Sequence, residues 1–144
     1  MKTNSWKPGD TFLMTGDLSE LDFRAVGQHL HIVLSHPVMV GGHMVVAAVT
    51  VSSYDGSDAV NYIDDTCILL PGEGHSFIQH RSYVVYSQAG LAKISSIEEN
   101  IEKRGGKKKE PLTEELLRRV IYGAWESRKT PPRIQHVMGQ QRLT

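Results

Sequence analysis

The chain has 144 residues, of which 40% are hydrophobic and 22% charged, and its formal net charge is zero. This length and balance fit one globular domain with its own hydrophobic core and exclude wholesale disorder. The longest apolar run, Met44–Val49, is far shorter than a membrane span, and the single Cys67 cannot close an intrachain disulfide. Residues 1–8 contain no apolar stretch typical of a secretory signal, so we expect a cytoplasmic protein without membrane contact.

Residues 1–96 are predicted to form a small β-barrel. Runs rich in β-branched residues and bounded by turn residues occur at Thr11–Met14, His29–Ser35, His43–Val51, Thr66–Leu70, Ser82–Tyr86 and Leu91–Ile94. Gly41 and Gly42 tolerate positive φ angles and predict a hairpin turn before the third run. Strands this short, without intervening helices, favour a barrel or a sandwich.

The composition changes near residue 97. Residues 97–111 include Lys103–Lys109, where five of seven residues are basic, and this composition predicts a flexible basic loop. The charges are also uneven, since residues 1–99 carry a formal charge of −6 and residues 100–144 a formal charge of +6. Such asymmetry indicates contact with nucleic acid or with an acidic partner. The simpler interpretation is that the two parts neutralise each other within one molecule.

Residues 112–144 are predicted to be a helical segment packed on the barrel. Apolar residues follow a helical period from Leu116 to Trp125, and Thr113 is a suitable N-cap. Pro132 can begin a short second helix. The fold class expected from the sequence is therefore mainly β with one or two C-terminal helices.

Two histidines in the second predicted strand are candidates for chemistry. His29 and His31 are two residues apart, so in a regular strand their side chains lie on the same face. Paired imidazoles can transfer protons, hold a phosphate or bind a metal ion. The alternative, which we favour over a metal site, is that they are hydrogen-bonded or solvated at a strand edge.

Hydroxyl groups cluster at the end of the longest predicted strand, at Thr50, Ser52 and Ser53. Hydroxyls at such a position can donate hydrogen bonds to phosphate oxygens. They can equally begin a loop through local bonds to the backbone, and the cluster alone does not decide between these interpretations.

A third group of polar residues runs from Gly72 to Tyr83. Arg81 in this group is suited to stabilising a negatively charged transition state. A structural interpretation, in which the polar residues satisfy turn backbone, is at least as good. A further alternative is a metal site, for which the candidate ligands are Asp65, His75 and His80 together with His29 and His31. Nothing near Cys67 lowers its pKa, which predicts a buried and inert thiol.

The basic residues of the C-terminal part are candidates for phosphate contacts. Lys107, Lys108, Lys109 and Arg118 can form a surface that follows an RNA backbone, or they can be ordinary solvated charges. The sequence contains no P-loop, GxGxxG, HExxH or CxxC motif. Nucleotide hydrolysis, dinucleotide-dependent oxidoreduction and structural zinc therefore lack support, and we expect no cofactor and no metal.

The order of these segments resembles the PemK/MazF-like toxin family, in particular a divergent branch of stand-alone proteins. The likeness extends over about residues 7–95, and its matching segments are Lys7–Phe12, His31–Ser35, Val45–Ser53, Asp65–Leu69, Gly74–Ile78 and Ser82–Tyr86. The resemblance implies an SH3-like β-barrel and a metal-independent endoribonuclease that cleaves single-stranded RNA. A homodimer is a further expectation, as is an acidic antitoxin-like protein partner that binds the basic helices if the protein is not an enzyme.

The resemblance assigns the family's hydroxyl positions to Thr50, Ser52 and Ser53, but the family's catalytic arginine has no clear match. His31 stands before the strand in its place. Three alternatives follow: His29 and His31 perform the proton transfers, or Arg24 or Arg81 reaches the site, or the barrel has lost catalysis. In the last case the protein is a non-catalytic SH3-like module that binds a protein partner.

Overall fold

The strands and helices below belong to a computed structural model that describes residues 5–14, 29–53 and 64–141. The strands are β1 (Thr11–Leu13), β2 (Leu30–Val33), β3 (Val38–Val40), β4 (His43–Ser53), β5 (Ile68–Leu69), β6 (Ser82–Lys93) and β7 (Lys107–Lys109). The helices are α1 (Ile94–Lys103), α2 (Glu114–Glu126) and α3 (Pro132–Gln140). In the described ranges, no helix is long and apolar enough to cross a membrane.

The strands form one antiparallel sheet in the order β5-β6-β4-β2-β1-β7, and β3 also pairs with β4. The sheet curls into a half-barrel with the helices packed against it, so the predicted class, mainly β with C-terminal helices, is confirmed. Within the described residues β5 and β7 end the sheet on opposite sides. The strands of the described residues therefore form a half-barrel, where the sequence predicts a small barrel.

The strands β2 and β3 run along the same neighbour, β4, and are separated by an irregular turn at Ser35. The hydroxyl of Ser35 accepts a hydrogen bond from the backbone N–H of Ala47 at 2.9 Å and donates one to the carbonyl of His36 at 3.0 Å. The Ser35 side chain thus gives the buried N–H of Ala47 a hydrogen-bond partner where Pro37 interrupts the neighbouring strand. The predicted hairpin turn is confirmed, because Gly41 and Gly42 have φ angles of 57° and 83° between β3 and β4.

Each face of the sheet has its own hydrophobic core, as the two-residue period of strands requires. Leu30 and Ile32 on β2 belong to the larger core, which also contains buried residues of α2 and α3. Val33 belongs to the second core, which α1 covers with Ile94 and Ile97. We refer to these as the α2/α3 face and the α1 face.

The prediction of a flexible loop at residues 97–111 is wrong. The segment contains most of α1 and all of β7, and β7 pairs with β1 through Thr11↔Lys109 and Leu13↔Lys107. The lysines are compatible with a strand because β7 lies at the sheet edge, where charged side chains reach solvent. Its central residue also has partners, since the Lys108 ammonium lies 3.7 Å from the Asp10 carboxylate and 4.4 Å from the Trp6 ring centroid.

A single strand, β6, replaces the two runs predicted at Ser82–Tyr86 and Leu91–Ile94. Its pairing with β4 shifts in the middle: Thr50 pairs with Val85, whereas Ala48 pairs with Gly90. The extra residues between these pairs form an irregularity within one strand. From the sequence this irregularity resembles a break between two strands.

The C-terminal helices begin close to their predicted positions. The hydroxyl of Thr113 accepts a hydrogen bond from the backbone N–H of Leu116 at 3.3 Å, which confirms the N-cap of α2. Tyr86 of β6 is fully buried and donates a hydrogen bond to the carbonyl of Val120 at 2.7 Å. Gly123 makes this contact possible, because a Cβ at that position would lie 2.9 Å from the Tyr86 ring carbon Cζ.

Candidate active site

A cavity of about 400 Å³ opens at one end of the curled sheet. Its walls come from the start of β2, the end of β4, the start of β6 and the turn before β6. Among the described residues, those that line it are His29, Leu30, Val51, Ser53, Phe77, Ile78, Gln79, His80 and Ser82. We refer to this cavity as the pocket.

The strand register explains why residues so distant in sequence meet in the pocket. Leu30 of β2 pairs with Val51 of β4, and Ser53 of β4 pairs with Ser82 of β6. The pocket therefore has a buried apolar floor that includes Leu30, Val51 and Ile78. Its polar rim consists of exposed His29, Ser53, Gln79 and His80. An apolar floor below a few polar groups is typical of small-ligand sites.

His29 is oriented for proton transfer by a hydrogen bond to the backbone. Its Nδ1 lies 3.2 Å from the carbonyl oxygen of Val51. A carbonyl can only accept, so Nδ1 carries the proton of the neutral ring and Nε2 keeps a free electron pair. His29 lines the pocket, and Nε2 is the ring atom that has an electron pair available to accept a hydrogen bond.

His31 does not share this site, contrary to the expectation that the two histidines act together. Its ring is completely buried, its Nδ1 lies 3.1 Å from Oγ1 of Thr50, and it packs against Phe12 with ring centroids 5.2 Å apart. Burial, with a smaller contribution from the charge of His29, lowers the pKa of His31 to about 3. The ring is neutral near pH 7 and cannot contact a substrate, so the structure does not favour proton transfer by His31, and Thr50 is buried with it.

The other predicted catalytic residues are distributed around the pocket or lie elsewhere. Ser53 lines the pocket, whereas Ser52 is half-buried opposite Tyr83. Arg81 is exposed and lies between two pocket residues in the sequence, although it is not part of the lining. Arg24 lies outside the described residues.

The predicted RNA-binding lysines differ in their surroundings. Leu30 pairs with Leu13, which pairs with Lys107, so Lys107 lies at the pocket end of the sheet. Two strand spacings separate its backbone from Leu30, which amounts to about 10 Å. Lys109 follows on the same strand and is half-buried, while Lys108 is engaged with Asp10 and Trp6.

Arg118 lies on the exposed surface of α2. Its guanidinium is 3.3 Å from the carboxylate of Glu114 one turn earlier. Exposed pairs of this kind contribute little to stability and exchange easily with other partners. The structure does not bring Arg118 into the pocket lining.

The residues suggested as metal ligands do not converge on one point. In residues 5–14, 29–53 and 64–141, no group of three or more His, Cys, Asp or Glu side chains is arranged to hold a metal ion. His75 is buried and hydrogen-bonded to Thr11 and to the carbonyl of Glu110. Cys67 is buried as predicted, and burial raises the pKa of its thiol.

Two of the pocket residues, Phe77 and Gln79, are not candidates from the sequence, and a third, His80, is grouped with His29 only in the metal-site alternative. All three lie between Gly72 and Tyr83, where the sequence predicts polar turn residues and offers only His80 as a metal ligand. The only local signal was the density of polar side chains. Their position beside His29 depends on the pairing of β6 with β4, which is not visible in a single sequence.

No match to this chain was found among the models of protein families, the curated proteins or the solved structures.

Proposed function

We propose that the protein is a metal-independent endoribonuclease acting on single-stranded RNA, with its active site in the pocket. The observation that carries this proposal is that two exposed imidazoles, His29 and His80, line one open cavity. Cleavage of RNA by its own 2′-hydroxyl needs one group to accept a proton and another to donate one, and a histidine pair can supply both near neutral pH. His80 takes the role for which the sequence suggested His31.

His29 is the base in this mechanism, because its Nδ1 donates to the Val51 carbonyl and its Nε2 can accept the proton of the 2′-hydroxyl. The 2′ oxygen then bonds to phosphorus while the bond from phosphorus to the 5′ oxygen breaks. His80 in its protonated form donates a proton to the departing 5′ oxygen. The products are a 2′,3′-cyclic phosphate and a 5′-hydroxyl end.

Ser53 and Arg81 stabilise the charge that develops on the phosphate oxygens. The hydroxyl of Ser53 lies in the pocket lining, and Arg81 follows His80 directly in the sequence. Lys107 at the same end of the sheet supplies a contact for a neighbouring phosphate. Fixed donors and cations around a reacting phosphate are the groups that usually contribute most to such catalysis.

The SH3-like, PemK/MazF-type fold is part of the same proposal. It is supported by the curled antiparallel half-barrel and by the C-terminal helices. An acidic antitoxin-like partner and a homodimer are also proposals, the first resting on the formal charge of +6 carried by residues 100–144.

A second candidate function is a non-catalytic interaction module that binds a protein partner. It is favoured by the burial of His31 and Thr50, since these two predicted site residues bond to each other inside the protein. In this case His29 and His80 have no role in proton transfer.

The test is incubation of the purified protein with end-labelled single-stranded RNA in EDTA. We expect fragments that end in a 2′,3′-cyclic phosphate. If no RNA of any tested sequence is cleaved, the ribonuclease proposal is wrong and the interaction module becomes the better account.

A further inference from the structure

His75 connects one wall of the pocket to β1 and to the segment after β7. Its Nε2 lies 2.9 Å from Oγ1 of Thr11 and 2.8 Å from the carbonyl oxygen of Glu110. On the other side of the ring, Nδ1 accepts the backbone N–H of Phe77 at 3.1 Å. The side chain is almost completely buried.

These contacts require a neutral ring. Because Nδ1 accepts the N–H of Phe77, it carries no proton, and the single ring proton is on Nε2, where it donates towards Glu110 and Thr11. A second proton on Nδ1 would point at the N–H of Phe77. Two donors would then face each other in a buried place, so the hydrogen bond to Phe77 would be lost.

The charged groups around His75 act in opposite directions. Burial is the main cause that lowers the pKa of His75, and the Lys109 ammonium lowers it further. The carbonyl and the carboxylate of Glu110 raise it. The Glu110 carboxylate is itself held by the N–H of Ser76 at 3.0 Å and by its hydroxyl at 2.6 Å. Thr11, the group that β1 presents to the ring, does not titrate.

The turn that His75 begins continues directly into the pocket wall. The carbonyl of His75 accepts the N–H of Ile78 at 3.2 Å, and residues 77–80 all line the pocket. His75 therefore accepts hydrogen bonds from the backbone N–H groups of two consecutive residues, Phe77 and Ile78, that line the cavity. The ring is thus hydrogen-bonded directly to a residue of the pocket wall.

We propose that His75 is a proton-operated switch, whose protonation releases the N–H of Phe77 and displaces residues 77–80 from the wall of the pocket. The pocket then has its described shape only while His75 is neutral. This inference concerns the shape of the pocket and holds whether or not its ligand is RNA.

The experiment is a pH titration of the ¹⁵N-labelled full-length protein by NMR, from pH 8 towards acid. The Cε1 proton of His75 reports the charge of the ring, and the backbone amides of residues 77–79 report the turn. We expect these amide signals to move with the same midpoint as the His75 proton, at a pH below the ordinary histidine value of 6.5. A Phe77 amide that stays in place while His75 titrates would overturn the proposal.

Two variants separate His75 from the nearby His80. In His80→Asn the amides of residues 77–79 are expected to keep the acid transition, because His75 is intact. In the double variant His75→Asn, His80→Asn this transition is expected to disappear, because the asparagine oxygen can still accept the Phe77 N–H but does not titrate.

Two further outcomes decide against the switch. One is a transition that persists in the double variant. The other is global unfolding of the wild-type protein before His75 is protonated, since the pocket would then be lost together with the whole fold. If the double variant does not fold, the comparison of the two wild-type midpoints remains the deciding measurement.

Discussion

The imidazole of His31 and the hydroxyl of Thr50 form a hydrogen bond of 3.1 Å across β2 and β4, beneath the α1 face of the sheet. Both residues are buried, and Phe12 packs against the imidazole. Two residues that the sequence presented as catalytic therefore form a polar contact inside the protein. Because His31 is buried and its pKa is lowered, it makes the stability of the folded protein depend on pH.

The first prediction concerns this dependence. The pKa of His31 is about 3 in the folded protein and near 6.5 when unfolded, so the unfolded state binds the proton first as the pH falls. The contribution of His31 is complete above pH 6.5 and is lost progressively as the pH falls towards 3. Between pH 7.5 and pH 5 we expect His31 alone to account for a loss of about 2 kcal/mol in the free energy of unfolding.

Urea unfolding of the wild type and of His31→Leu at both pH values measures this loss. The leucine variant is expected to be less stable at pH 7.5 but to lose about 2 kcal/mol less on acidification. His136→Gln, which changes an exposed histidine on α3, serves as the control and should follow the wild type. Parallel behaviour of wild type and His31→Leu would mean that the ring is accessible to protons in the folded state.

A second prediction uses two helical glycines. Gly123→Ala places a Cβ against the fully buried ring of Tyr86, which has no room to move, and we expect a loss of about 1–3 kcal/mol. Gly139→Ala is the matched control, because its nearest neighbour is an atom of Trp125 at an ordinary 3.6 Å. That change should be neutral or stabilise by up to about 1 kcal/mol, since alanine favours helices. Thermal unfolding of both variants gives the comparison, and equal effects would contradict the packing of Tyr86 on α2.

A third prediction distinguishes neighbouring lysines of β7. Lys108→Gln removes the ion pair with Asp10 and the contact with the Trp6 ring, and we expect a loss of about 1 kcal/mol. Lys107→Gln changes an exposed side chain and is expected to stay within about 0.5 kcal/mol of the wild type. Denaturant unfolding at low salt measures both, and the effect of Lys108→Gln should shrink as salt is added. If both variants are equally stable, Lys108 behaves as an ordinary solvated charge.

A fourth prediction tests whether β7 contacts RNA. The affinity for single-stranded RNA falls with salt by a slope of about 0.7 for each phosphate contact. In the double variant Lys107→Gln, Lys109→Gln we expect the slope to flatten by about 0.7 for each lysine that contacts a phosphate. Lys108→Gln, whose charge is already engaged with Asp10, should leave the slope unchanged. An unchanged slope in the double variant would show that Lys107 and Lys109 of β7 do not contact RNA phosphates.

The sequence predicted the elements whose signals are local. The α2 helix has an N-cap at Thr113 and a helical period, and the β3–β4 hairpin has two adjacent glycines, so both were recognised. The strand β7 was missed because three lysines resemble a solvated run and its pairing partner, β1, is about a hundred residues away. The helix α1 was missed because it follows β6 directly, with Lys93 in place of a typical capping residue.

In the candidate site, too, local signals were readable from the sequence and long-range pairing was not. His29 and Ser53 were predicted from their own strands and do line the pocket. The sequence groups His80 with His29 as a metal ligand and not for proton transfer, because the two meet only through the pairing of β2 with β4 and of β4 with β6. The prediction for His31 is wrong because an alternating pattern does not tell which face of a strand is covered, and here Phe12 packs on the ring.

The central claim is that His29 and His80 perform proton transfer in one pocket, and single-turnover cleavage of single-stranded RNA in EDTA tests it most directly. We expect His29→Ala and His80→Ala each to reduce the rate by about 10²-fold or more, because general acid–base catalysis contributes about 10²–10⁴-fold. His43→Ala, an exposed histidine at the start of β4 and outside the pocket lining, should retain the wild-type rate. Wild-type rates in both pocket variants would contradict the account.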